Sequence, residues 1–123
     1  MEKRGVVITG LGLLTRLGND VPTCWENLLK GKSGADFITH FDASKFKTRF
    51  ACEVKNLDIS SILDPKEARR YDRCIHYAIK SAEEAMLDAQ IDVNQEDALR
   101  CGIIYGSGMG GVHTLDVNIG GYG

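Results

Sequence analysis

Cys101-Gly102-Ile103-Ile104-Tyr105, followed at once by Gly106-Ser107-Gly108-Met109-Gly110-Gly111, decides how this chain is read. An apolar, β-branched run stops in a loop with four glycines in six positions. The run predicts a buried strand. Glycine lets the backbone turn at positive φ and lets another group approach it closely. In α/β proteins such a strand-to-loop junction usually places a ligand at the carboxyl end of the sheet. The loop fits G-x-G-x-x-G, but a phosphate cradle also needs a helix directly after it and an acid about twenty positions on. Twelve residues follow Gly111, and Gly120-Gly121-Tyr122-Gly123 is poor helix material. Two readings therefore stand: a tight packing turn, or part of a small nucleotide-binding α/β domain.

Upstream, Gly5-Val6-Val7-Ile8-Thr9 predicts a first strand, apolar on both faces as in a covered sheet. It enters Gly10-Leu11-Gly12, which opens like a dinucleotide fingerprint, but Thr15 stands where the third glycine belongs. After a turn at Gly18-Asn19-Asp20, a helix is predicted from Pro22 to Lys30, capped near Asp20 or Val21 and closed by Gly31. Trp25, Leu28 and Leu29 share one face, which points to the core. Lys32 to Lys47 is irregular, with Phe37, Phe41 and Phe46 expected to pin it to the body. Thr48 to Val54 predicts a short strand, with Phe50, Cys52 and Val54 on one face and Arg49 and Glu53 toward the other.

Asp64-Pro65-Lys66-Glu67 is a helix start with an acceptor cap and proline at the first position. Tyr71, Ile75, Ala78, Ile79, Ala82, Ala85, Met86 and Ala89 recur at helical spacing, with a break expected near Tyr71 and Asp72. The alternation of strands and helices predicts an α/β fold with a parallel or mixed sheet. A single domain over 1–123 follows from the length and the absence of a linker-like stretch.

Hydrophobic content of 43% and charged content of 26% are those of a globular protein. A net charge of −2 gives no general argument for nucleic acid or membrane as partners. The short apolar run after the N-terminus lacks signal-peptide character, so a cytoplasmic protein is expected. Cys24, Cys52, Cys74 and Cys101 form no C-x-x-C and no metal-ligand spacing with a histidine. Four reduced thiols and neither metal nor cofactor are expected. His40, His76 and His113 are scattered and read as surface or packing residues. No cysteine has an evident activating base, so no catalytic set is visible.

One charge pattern stands out. On a continuous helix Lys66, Arg69, Arg70 and Arg73 fall on a single face. Such a face docks an acidic partner or phosphate, or is a solvated surface paired with Asp64, Glu67 and Asp72.

Several stretches in register carry a resemblance. They are Val6-Val7-Ile8-Thr9-Gly10-Leu11-Gly12, Leu17-Gly18-Asn19, Trp25 to Gly34, Phe41-Asp42-Ala43-Ser44, Lys66 to Arg70, and Gly106 to Gly111. In order and spacing the chain resembles the N-terminal part of β-ketoacyl-acyl-carrier-protein synthases, of the elongating synthase II type. The resemblance implies the first part of a thiolase-like layered α/β fold and a homodimeric parent. It implies a decarboxylating condensation of an acyl-enzyme with malonyl carrier protein in fatty acid elongation. The partner implied is acyl carrier protein, bearing its substrate on phosphopantetheine.

Lys66, Arg69 and Arg70 match the family's carrier-docking cations, which puts docking ahead of the solvated reading. Met109 matches an apolar residue at the acyl pocket. None of the four cysteines and none of the histidines matches the family's catalytic cysteine and histidine pair. The chain is therefore expected to be inactive alone and to leave Val6 to Ile8 and Cys101 to Tyr105 uncovered. A carrier-docking fragment without catalysis is the alternative. Thr15-Arg16 departs from the Ser-Pro common in relatives.

Overall fold

A computed structural model describes residues 5–120. Helix α1 spans Val21–Leu29, and strands β1 (Asp36–Phe37) and β2 (Phe50–Ala51) follow. Then come α2 (Pro65–Ala68), α3 (Arg73–Asp88), a 3-10 turn at Ala98–Arg100, and α4 (Val112–Gly120). Among the described residues the sheet is one antiparallel pair, with Asp36 opposite Ala51 and Phe37 opposite Phe50.

The helix ends follow from the sequence. Asp20 caps α1 by accepting from the Thr23 N–H at 2.7 Å, and Gly31, at φ +64°, ends it in the left-handed region. Asp64 caps α2 through Lys66 N–H at 2.7 Å, and Asp72 caps α3 through Arg73 N–H at 2.6 Å. The expected break is thus real: four residues, Arg69 to Asp72, separate α2 from α3.

The segment before α1 lies along α3, and here the glycines have a clear purpose. A Cβ on Gly12 would stand 1.8 Å from the Ser81 carbonyl oxygen, and one on Gly10 would stand 2.2 Å from that of Ala85. Only a bare backbone fits so close to the helix. The N–H of Leu11 donates to Asp88 Oδ2 and that of Leu13 to Glu84 Oε2, both at 2.9 Å. Two residues of extended chain and four of helix each advance about 6 Å, so the two repeats run in step. Gly10 and Gly12 serve close packing rather than a dinucleotide.

Three expectations need correction. Gly5 to Thr9 and Cys101 to Tyr105 are not paired in a sheet, and no parallel ladder forms among the described residues. An apolar period sets the surface of a strand but supplies no neighbour to complete its hydrogen bonds. Trp25, Leu28 and Leu29 are 59%, 56% and 71% exposed, whereas Cys24 is buried. The helix face carrying Trp25 and Leu28 looks onto an open apolar groove of about 630 Å³ beside Leu11 and Leu13. In the β2 region Phe50 and Cys52 share a side as expected, but that apolar side is exposed and Glu53 on the other is buried.

The surface area measures the missing cover. The chain exposes 10685 Å². A folded monomer of this length would expose roughly 6500 Å². Ile103 and Ile104 are fully or nearly fully exposed, as is Val6. Phe41 and Phe46 pack edge to face, 5.7 Å between centroids, so that loop is pinned to itself.

Candidate docking turn and glycine loop

Lys66 lies on α2, and Arg69 and Arg70 follow directly in the turn before α3. The cations therefore do not share one continuous helix face, because the helix stops at Ala68. The turn still gathers them. His76 Nε2 donates to the Ala68 carbonyl at 2.8 Å, tying the end of α2 to the first turns of α3. Arg70 N–H donates to Glu67 O at 2.9 Å, and Arg69 Nε donates to Pro65 O at 3.0 Å. All three cations are exposed. Among the described residues none of them, nor Arg73, forms an ion pair with Asp64, Glu67 or Asp72. The pairing expected on the solvated reading is not formed there, while the exposure it expects is.

Arg69, Arg70 and Arg73 line a shallow cleft of about 260 Å³ whose far wall is His113, Thr114 and Asn118 of α4. Asp72 holds the two walls together. Its carboxylate accepts from the Thr114 N–H and hydroxyl, which are the main reasons its pKa lies below the ordinary aspartate value.

Helix α4 begins directly after the glycine loop, at Val112, with Gly111 at φ +75°. The sequence led us to expect poor helix material at the end of the chain; Gly120 nevertheless closes α4, and Gly121 to Gly123 lie outside the described residues. A helix behind G-x-G-x-x-G revives the phosphate-cradle reading only briefly. The anion-binding end of α4 already holds the Asp72 carboxylate. Within the loop, a Cβ on Gly110 would meet Cys74 Sγ at 2.9 Å, while one on Gly106 or Gly108 meets nothing. The loop is a packing turn against α3. Met109 stands at its tip, 83% exposed.

Residues 3–120 match the family model for the β-ketoacyl synthase N-terminal domain. The chain belongs to this family. It is 48% identical over 116 residues, 94% of its length, to a 3-oxoacyl-[acyl-carrier-protein] synthase 2 of Staphylococcus aureus (strain COL). It is 50% identical over 112 residues to the protein of that name in strain MRSA252. It is 46% identical over 118 residues, 96% of its length, to that of Coxiella burnetii. The chain spans 28% of the length of the Staphylococcus COL and Coxiella proteins and 27% of the MRSA252 protein.

Cys24 is buried, with its sulfur 3.0 Å from Thr15 Oγ1 and donating to Gly18 O at 3.1 Å. Cys52 and Cys101 are exposed and Cys74 half-buried, all as free thiols. Among the described residues no group of three His, Cys, Asp or Glu side chains is placed to hold a metal ion, and no helix is long and apolar enough to cross a membrane.

Two further residues, His40 beside Arg73 and Glu53 beside His40, make contacts that the sequence did not show. His40 Nδ1 lies 2.8 Å from Arg73 Nη1, and Glu53 is buried beneath it. Glu53 accepts from Lys55 Nζ at 2.6 Å, from the Thr39 hydroxyl at 2.7 Å, and from the Thr39 and His40 N–H groups. The Lys55 bond, then those of Thr39, hold its pKa far below the ordinary glutamate value. An acidic residue in a polar-looking strand gives no signal of burial until its donors are placed.

Proposed function

We propose that this protein is the N-terminal part of a cytoplasmic, homodimeric condensing enzyme of fatty acid elongation, with a thiolase-like layered fold. In that reaction the decarboxylated malonyl carrier supplies a carbanion. The carbanion attacks the thioester carbonyl of the acyl-enzyme, releasing the enzyme thiolate and leaving a 3-oxoacyl chain on the carrier. The carrying observation is 48% identity over 94% of the chain to a synthase named for that product. Lys66, Arg69 and Arg70 receive the acidic carrier protein, whose phosphopantetheine arm delivers the acyl group. They are exposed cations without ion pairs among the described residues, held as a group by the His76–Ala68 hydrogen bond. Met109, at the tip of the glycine loop, is the apolar wall that the acyl chain meets.

The chain's own groups divide the labour. It binds the carrier and shapes the acyl site; among the described residues no cysteine has a base hydrogen-bonded to it. The test compares two preparations in one assay of 3-oxoacyl-carrier formation from acyl- and malonyl-carrier protein. A synthase of relatives' length carrying this domain turns over, and residues 1–123 alone do not. Turnover by residues 1–123 alone, or none by the longer enzyme, overturns the reading.

A further inference from the structure

The cleft holds one cation that the docking reading leaves out. We infer that Arg73 is a fourth carrier-facing cation and that His40 is the residue that positions it. The inference rests on the docking reading above and adds a residue and a regulation to it.

Three facts meet here. Arg73 opens α3 and lines the same cleft as Arg69 and Arg70, yet has no carboxylate partner among the described residues. Its Nη1 lies 2.8 Å from His40 Nδ1. A guanidinium has only donors, so Nδ1 is the acceptor and His40 is neutral, with its proton on Nε2. His40 Nε2 lies 3.8 Å from Glu53 Oε1. His40 is in turn fixed at its backbone, where its N–H donates to Glu53 Oε1 at 3.2 Å.

The chain of support is therefore Glu53, His40, Arg73, cleft. One guanidinium N–H is spent on His40; the others remain for a carboxylate or phosphate oxygen of the partner. Protonation of His40 would place an N–H on Nδ1, pointing at a guanidinium. The hydrogen bond is then lost and two cations face each other. The charged groups around His40 are Glu53 and Arg73, with Lys55 bonded to Glu53 and Asp72 next to Arg73. Imidazoles in general change charge between about pH 5 and 8, so the positioning is proton-sensitive. Arg73 holds a fixed geometry when His40 is neutral and becomes a tethered, loose charge when it is not.

The test isolates Arg73 at two pH values. Binding of an apo acyl carrier protein is measured for the wild type, Arg73→Gln, His40→Asn and the double variant. Asparagine presents an acceptor near the Nδ1 position and has no proton to gain. The affinity ratio of wild type to Arg73→Gln should be about fivefold at about pH 7.5, falling toward unity at about pH 5.5. In the His40→Asn background the ratio should stay near its higher value at both. Using ratios cancels the general effect of acid on the carrier. A ratio of one at the higher pH, or a ratio equally pH-dependent without His40, overturns the inference. A triple reversal of Lys66, Arg69 and Arg70 that leaves affinity unchanged would instead remove the docking reading itself.

Discussion

Thr114 gives both its backbone N–H, at 3.1 Å, and its hydroxyl, at 2.8 Å, to one carboxylate oxygen of Asp72. The other oxygen caps α3 through Arg73 N–H. One side chain thus starts one helix and anchors the start of another, and the glycine loop is held between them. Thr114→Val keeps the shape and removes the hydroxyl bond. Amide exchange over the first turn of α4 should become roughly five- to tenfold faster. Unchanged exchange would mean that the hydroxyl bond to Asp72 does not hold α4.

Gly12 faces backbone atoms of α3, which cannot swing away as a side chain would. Gly12→Ala should destabilise the protein by about 2 kcal/mol or more, read as a lowered denaturant midpoint. Gly102→Ala, where a Cβ meets nothing within 4 Å, is the control and should leave the midpoint nearly unchanged. Equal effects at both would show that the segment does not rest on α3.

Glu53 sets an acid limit on stability. Its carboxylate is held ionised by Lys55, then Thr39, so its folded pKa lies below the unfolded one. A depressed carboxylate contributes fully above the unfolded value, and the contribution is lost as pH falls through the folded value. Urea midpoints should therefore decline below about pH 4.5. Glu53→Gln should lower the midpoint at neutral pH and flatten that decline. A variant with the wild-type profile would assign the acid loss to other groups.

Helices α1, α2 and α3 were legible in the sequence because their signals are local, whereas α4, whose start depends on Asp72 forty-two positions away, was not. Asp20 with Pro22, Asp64 with Pro65, and the alanine-rich repeat after Asp72 each lie within a few residues of the element they define. The same is true of the α2–α3 break. Of the expected strands, Thr48 to Val54 contains β2, whereas Gly5 to Thr9 and Cys101 to Tyr105 need neighbours that no local period supplies. Burial failed for a related reason: the face carrying Trp25 and Leu28 is apolar but has no cover, and Glu53 is polar but has four donors around it. At the site, the exposed cations and Met109 were visible as residue types. His40 and His76, whose parts depend on contacts at 33 and 8 positions' separation, were not.

Met109 touches acyl chain rather than carrier in the proposed synthase. In an enzyme of relatives' length, Met109→Gln should raise KM for long acyl donors by about tenfold, from the lost apolar contact, and leave short donors little changed. The affinity for apo carrier should not move. A uniform loss across chain lengths would take Met109 away from the acyl site.

Carrier docking is the most direct test of what this chain does. The measurement is the affinity of acyl carrier protein for the wild type and for the Lys66→Glu, Arg69→Glu, Arg70→Glu triple variant, each over a range of salt. Docking through these cations predicts affinity that falls as salt rises in the wild type, and a loss of about tenfold or more in the variant with a flatter salt response. Equal affinities and equal salt slopes would contradict it.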